Sequence, residues 1–127
     1  MIEKGVSPPP RFMRGAVQAL SDVLLYLTQL DIWFRSVRDN FARVQTYTAT
    51  LDPTTVGANN TSEQTFSVPG LATTDIVTVN KPSHDAGLGI VGARVSAQDT
   101  LAITFMNTTG AGIDPPEEDY FIVAVRR

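Results

Sequence analysis

The residues whose types and spacing could do chemistry lie in the second half of this chain. Gly87-Leu88-Gly89-Ile90-Val91-Gly92 has the G-x-G-x-x-G spacing in which glycines let a backbone wrap a pyrophosphate at a helix N-terminus. The next residues, Ala93 to Asp99, read as a strand end and a turn, with no room for the crossover helix of a nucleotide-binding unit. The run is therefore expected to be a glycine-rich strand that bends or approaches a neighbouring backbone closely. Ser83, His84 and Asp85 are the residue types of a hydrolase triad, but three consecutive side chains cannot be aimed at one another as that mechanism requires. His84 is the only histidine, so a histidine cluster for a metal could arise only from several copies around an axis. Glu117, Glu118 and Asp119 follow two prolines and lack the interleaved spacing of a dedicated calcium loop. Asn60-Thr61-Ser62 and Asn107-Thr108-Thr109 fit the glycosylation pattern, which is common by chance. With no cysteine, there are no disulfides or thiolate sites. The expectation is a non-enzymatic protein with no catalytic, cofactor-binding or metal residues.

The pattern that dominates the chain is apolar. From Phe12 to Val44, apolar residues step by threes and fours, the spacing that lines one stripe of a helix. Val17, Leu20, Leu24, Leu27, Leu30, Phe34, Val37 and Phe41 are the candidate oligomer interface, a coiled-coil-like seam. Leu24, Leu27 and Leu30 are spaced three and three, a local stammer in a heptad. A break into two helices capped by Asp31 is the alternative to one continuous helix. Between Gly15 and Leu30 the only charge is Asp22, and a helix apolar on more than one face is normally enclosed by partners. Asp31 with Arg35, and Asp39 with Arg43, are spaced for surface ion pairs.

Ahead of the helix, residues 1–11 read as an extended arm. Pro8, Pro9 and Pro10 favour polyproline II, and with Arg11 and Arg14 they form a candidate attachment segment, since arginines at a helix N-terminus have the wrong sign for its dipole. The net charge of −3 argues against a nucleic-acid partner. Gln18, Asp22, Thr28 and Gln29 interrupt the apolar run, so no membrane span is expected, and the start has no apolar signal core, which points to synthesis in a cytoplasm.

From Arg43 the period changes to two. Val44, Thr46, Thr48 and Thr50 alternate with Gln45, Tyr47, Ala49 and Leu51, and further strands are expected within 64–68, 75–79, 88–95, 101–106 and 120–125, separated by turn residues. Leu101, Ile103 and Phe105, and likewise Phe121, Val123 and Val125, are expected to form the inward rows of a small antiparallel sandwich. The architecture is α+β: an arm (1–11), a long N-terminal helix (12–44) and an antiparallel β-sandwich of about six strands (45–127).

The run Gly87 to Ala97, with Asp99 to Phe105 and Asn107-Thr108-Thr109 after it, resembles a small β-module of tailed-bacteriophage virion proteins over about residues 64–127. The resemblance implies a structural role in a virion, most directly as a homotrimeric capsid decoration or cement protein contacting capsid proteins. The long helix departs from a simple decoration domain and keeps open a tail, fibre or head-to-tail connector component attached through that helix. Outside viruses, the alternative is a carbohydrate-binding β-module on an oligomerising stalk, for which Tyr120 is the main aromatic not already placed in the helix or in strand alternation.

Overall fold

The computed structural model describes residues 11–127, with side chains from Gly15 onward. Pro8, Pro9 and Pro10, and the side chains of Arg11 and Arg14, lie outside the described residues. The chain divides into two units, a helix and a β-domain of Ala42–Arg127.

Helix α1 runs without a break from Arg11 to Phe41. It passes straight through Asp31, whose carboxylate pairs with Arg35 at 2.7 Å as the spacing predicts. At about 1.5 Å per residue it is roughly 46 Å long. It begins one residue earlier than the expected span and ends three residues earlier. Ala42 and Arg43 make a turn, and Val44 already belongs to the first strand. The second expected ion pair is lost with that turn, and Asp39 meets Arg38 at 3.5 Å instead.

The β-domain has six strands: β1 Val44–Leu51, β2 Asn60–Ser67, β3 Asp75–Asn80, β4 Leu88–Ala97, β5 Thr100–Asn107 and β6 Glu118–Arg126. They form two three-stranded antiparallel sheets ordered β1-β6-β3 and β2-β5-β4. β2 begins at Asn60, within what reads as a loop, because a polar edge strand carries no apolar signal. Pro69-Gly70 makes a type II turn, with Gly70 at φ 103° and the Leu71 N–H reaching the Val68 carbonyl at 3.5 Å. β4 and β5 are joined through Gln98-Asp99, with Asp99 at φ 59°.

Leu101, Ile103 and Phe105 of β5 point inward and are fully buried, as alternation predicts. β6 is the reverse of the expectation. Tyr120, Ile122 and Ala124 are buried, whereas Phe121, Val123 and Val125 are exposed by 50%, 39% and 40%. Both alternate sets of β6 are apolar, so the strand's own period cannot choose a face, and its neighbours decide. Tyr47 and Ala49 of β1, and Val77 and Val79 of β3, share the face of Ile122, Tyr120 and Ala124 and join the core. The opposite set falls in rows on the outer face: Val44, Val125 and Ile76; Thr46, Val123 and Thr78; Thr48, Phe121 and Asn80; and, beyond the end of β3, Thr50 and Asp119.

Candidate assembly surface

Helix geometry regroups the apolar stripe. Ala16, Val23, Leu30 and Val37 fall seven residues apart, and so do Leu20, Leu27, Phe34 and Phe41. The two sets interleave as the d and a positions of uninterrupted heptads. The stammer disappears once Val23, absent from the stepwise stripe, replaces Leu24 in the seam. Val17 and Leu24 then flank the seam at e, and Ala19, Tyr26 and Trp33 flank it at g, positions usually occupied by charges.

Of the proposed interface residues, Val17, Leu20, Leu24, Leu27, Phe34 and Phe41 are exposed along α1, and Leu30 and Val37 are half-buried. With Val23, Leu25, Tyr26, Ile32 and Trp33, eleven large apolar side chains of this helix each expose between 52% and 73% of their surface. That is on the order of 1,000 Å² of apolar surface, above the few hundred Å² usually tolerated on a monomer. The polar side chains bond within the helix: Gln18 Nε2 donates to Asp22 at 3.1 Å, and Thr28 Oγ1 to the Leu24 carbonyl at 2.9 Å.

The chemically suggestive motifs take structural places. Gly89 and Gly92 lie inside β4, where the register slips between Ile90 and Gly92 and leaves Val91 57% exposed at a bulge. Gly87, at φ 83°, sits where any Cβ would collide with the Thr109 methyl group. The glycines thus serve a bend and a close approach, as the strand reading expects. Ser83 and Asp85 converge on Lys81 rather than on His84. Lys81 Nζ lies 2.8 Å from Asp85 Oδ2 and 2.7 Å from Glu118 Oε1, and it donates to Ser83 Oγ at 2.9 Å. Burial works against the Lys81 charge, but the bonds to Asp85 and Glu118 outweigh it and hold the ammonium above its ordinary range. Glu118 is correspondingly held below the usual carboxylate range, by Lys81 first and Ser83 second, against burial. Asp119 is engaged by the Thr50 hydroxyl at 2.5 Å. Among the described residues, no three acidic or histidine side chains are placed to hold a metal ion.

Tyr120 is fully buried, its hydroxyl without a hydrogen-bond partner in the protein, so it cannot present a face to a sugar. Burial pushes its phenol pKa up, outweighing the pull of the Lys81 charge. The open depression beside β2 and β5, lined by Asn59, Asn60, Thr61, Met106, Asn107 and Thr108, contains no aromatic. Asn107 is 1% exposed, and its Nδ2 donates to the Val56 and Ala111 carbonyls at 3.0 and 2.8 Å, which leaves no acceptor amide for a glycan.

The outer faces of the two sheets differ. On the β2-β5-β4 sheet, Arg94 binds Glu63 through two bonds of 3.0 and 2.8 Å, spanning the central strand at the level of Ala102 and Thr104. That contact lowers the Glu63 pKa and raises that of Arg94. On the β1-β6-β3 sheet, the three rows from Val44 to Thr48 carry no charged residue, and the fourth carries Asp119. Among the described residues, no helix is long and apolar enough to cross a membrane. The chain matches no protein-family model, no curated protein and no solved structure.

Proposed function

We propose that this chain is a non-enzymatic structural subunit that assembles with copies of itself through α1 and carries a β-domain after that helix in the chain. The heptad seam carries the reading. Leu20 and Leu27 at a, with Val23 and Val37 at d, reverse the arrangement that favours two strands, and apolar residues at e and g widen the face beyond what one neighbour covers. A parallel homotrimer is therefore the proposed assembly. The resemblance of residues 64–127 to a module of tailed-phage virion proteins supplies the setting, an accessory protein of a virion, with capsid decoration as the first role. A tail or connector component is the second, favoured by a helical stalk as long as the one α1 would make. Neither role involves nucleic acid, membrane or cofactor.

The mass in solution tests the assembly, and the expected value is three times the 13.7 kDa chain. A monodisperse folded monomer at micromolar concentration would remove the proposal. Binding to purified capsid shells against isolated tails separates the two settings, and no binding to either removes the virion assignment.

A further inference from the structure

We infer that the outer face of the β1-β6-β3 sheet is a second contact between copies of this chain, within the same oligomer that α1 holds together. The inference rests on the helical assembly proposed above. The row nearest the start of β1 is wholly apolar, with Val44 44%, Val125 40% and Ile76 54% exposed, and the central strand continues it through Val123 and Phe121. On the equivalent face of the other sheet the charged Arg94–Glu63 pair lies across Ala102 and Thr104, and Met106 is the exposed large apolar side chain of the central strand.

Area and connectivity decide the occupant. Three strands about 4.8 Å apart and three outward rows about 6.8 Å apart make a face of roughly 300 Å². A stable complex between separate proteins needs about 800 Å² per partner. The face is therefore too small to recruit an independent protein and suits one already tethered nearby. A second copy is so tethered. Val44 comes three residues after the seam residue Phe41, a chain reach of at most about 11 Å, so in an oligomer held through α1 the first residue of this row in every copy is tethered within that reach of its own helix end. The three rows nearest the start of β1 carry no charge, so identical surfaces meet there without like-charge repulsion, and Asp119, in the fourth row of the same face, is engaged by the Thr50 hydroxyl.

The chain has no cysteine, so single substitutions give an unambiguous proximity test on the full-length protein. Val123→Cys, on the outer face of the central strand, should form an intermolecular disulfide on mild oxidation of the native oligomer. Thr65→Cys, exposed on the opposite outer face, should not. Val123→Lys should retain the β-sheet circular dichroism signal and raise the dissociation constant of the oligomer at least tenfold. An intact oligomer in which Val123→Cys fails to cross-link, or an unchanged dissociation constant for Val123→Lys, would overturn the inference. A mixed disulfide formed preferentially between Val123→Cys and Leu24→Cys chains would assign the face to the helix instead and overturn it too. Failure of the helical reading looks different: Leu20→Asp with Leu27→Asp would leave the oligomer intact, whatever the Val123 variants do.

Discussion

Asn107 uses its whole side-chain amide inside the protein: besides the two carbonyls its nitrogen holds, its Oδ1 accepts from the Thr109 N–H and the Thr109 hydroxyl, both at 2.8 Å. Truncation would strand several buried polar groups at about 1–3 kcal/mol each, partly relieved by relaxation. Asn107→Ala should therefore lower β-domain stability by about 2–4 kcal/mol in chemical denaturation. Tyr120 is the opposite case, because its buried hydroxyl has no protein partner to lose. Tyr120→Phe should leave stability unchanged or raise it by up to about 1 kcal/mol, and a loss larger than that would mean that the hydroxyl is bonded after all. At Asp75, Arg126 donates two bonds of 2.8 and 3.0 Å and the Ala72 N–H a third of 2.9 Å. Arg126 first and Ala72 second hold this carboxylate below its usual range, against burial. A lowered folded pKa stabilises the protein above the unfolded value of about 4, and that stabilisation is lost as pH falls through the folded value. Denaturation midpoints measured between about pH 2 and 5 should fall on acidification, and Asp75→Asn should flatten the slope. None of these roles was legible in the sequence. Asn107 stood in a glycosylation pattern, Asp75 opened an expected strand and Tyr120 was the candidate sugar-binding aromatic, because their surroundings are set by residues far along the chain.

At the scale of elements, the helix was legible because its signal is local and long. The phase of its seam is less legible, because Val17 and Leu24 are as apolar as the a and d residues they flank, and hydropathy alone does not rank adjacent columns. The heptad assignment makes a positional prediction. Leu20→Asp with Leu27→Asp, both at a, should yield a smaller species or an insoluble chain in analytical ultracentrifugation. Leu25→Asp with Ile32→Asp, equally exposed but both at f on the far side, should leave the mass unchanged. Equal effects would mean that the helix is enclosed on all sides. For the strands, turn residues and alternation together located all six, β2 only in its second half, and alternation chose the face correctly for β5, where Ala102 and Thr104 separate the large residues. It failed for β6, where Tyr120 to Val125 is apolar throughout and the register against β1 and β3 is decisive.

For the whole molecule, the arm and the helix have separable duties in the proposed role. A chain starting at Gly15 keeps the heptads from Ala16 onward and the entire β-domain. It should still assemble, yet fail to occupy virions stripped of the native protein, if attachment resides in Pro8 to Arg14. Normal occupancy by that truncation would transfer attachment to the β-domain or to the helix flank.

One connection has a consequence for how such a protein could have arisen. The Arg126 N–H donates to the Arg43 carbonyl at 2.8 Å, so the β-domain opens and closes on adjacent strands at one end. A module whose two ends meet can be inserted into another chain with little disturbance of the host fold, as inserted and permuted domains are. The β-domain can thus be exchanged between stalks by recombination, or by a designer, as an interchangeable cassette, with Ala42-Arg43 as its entry point.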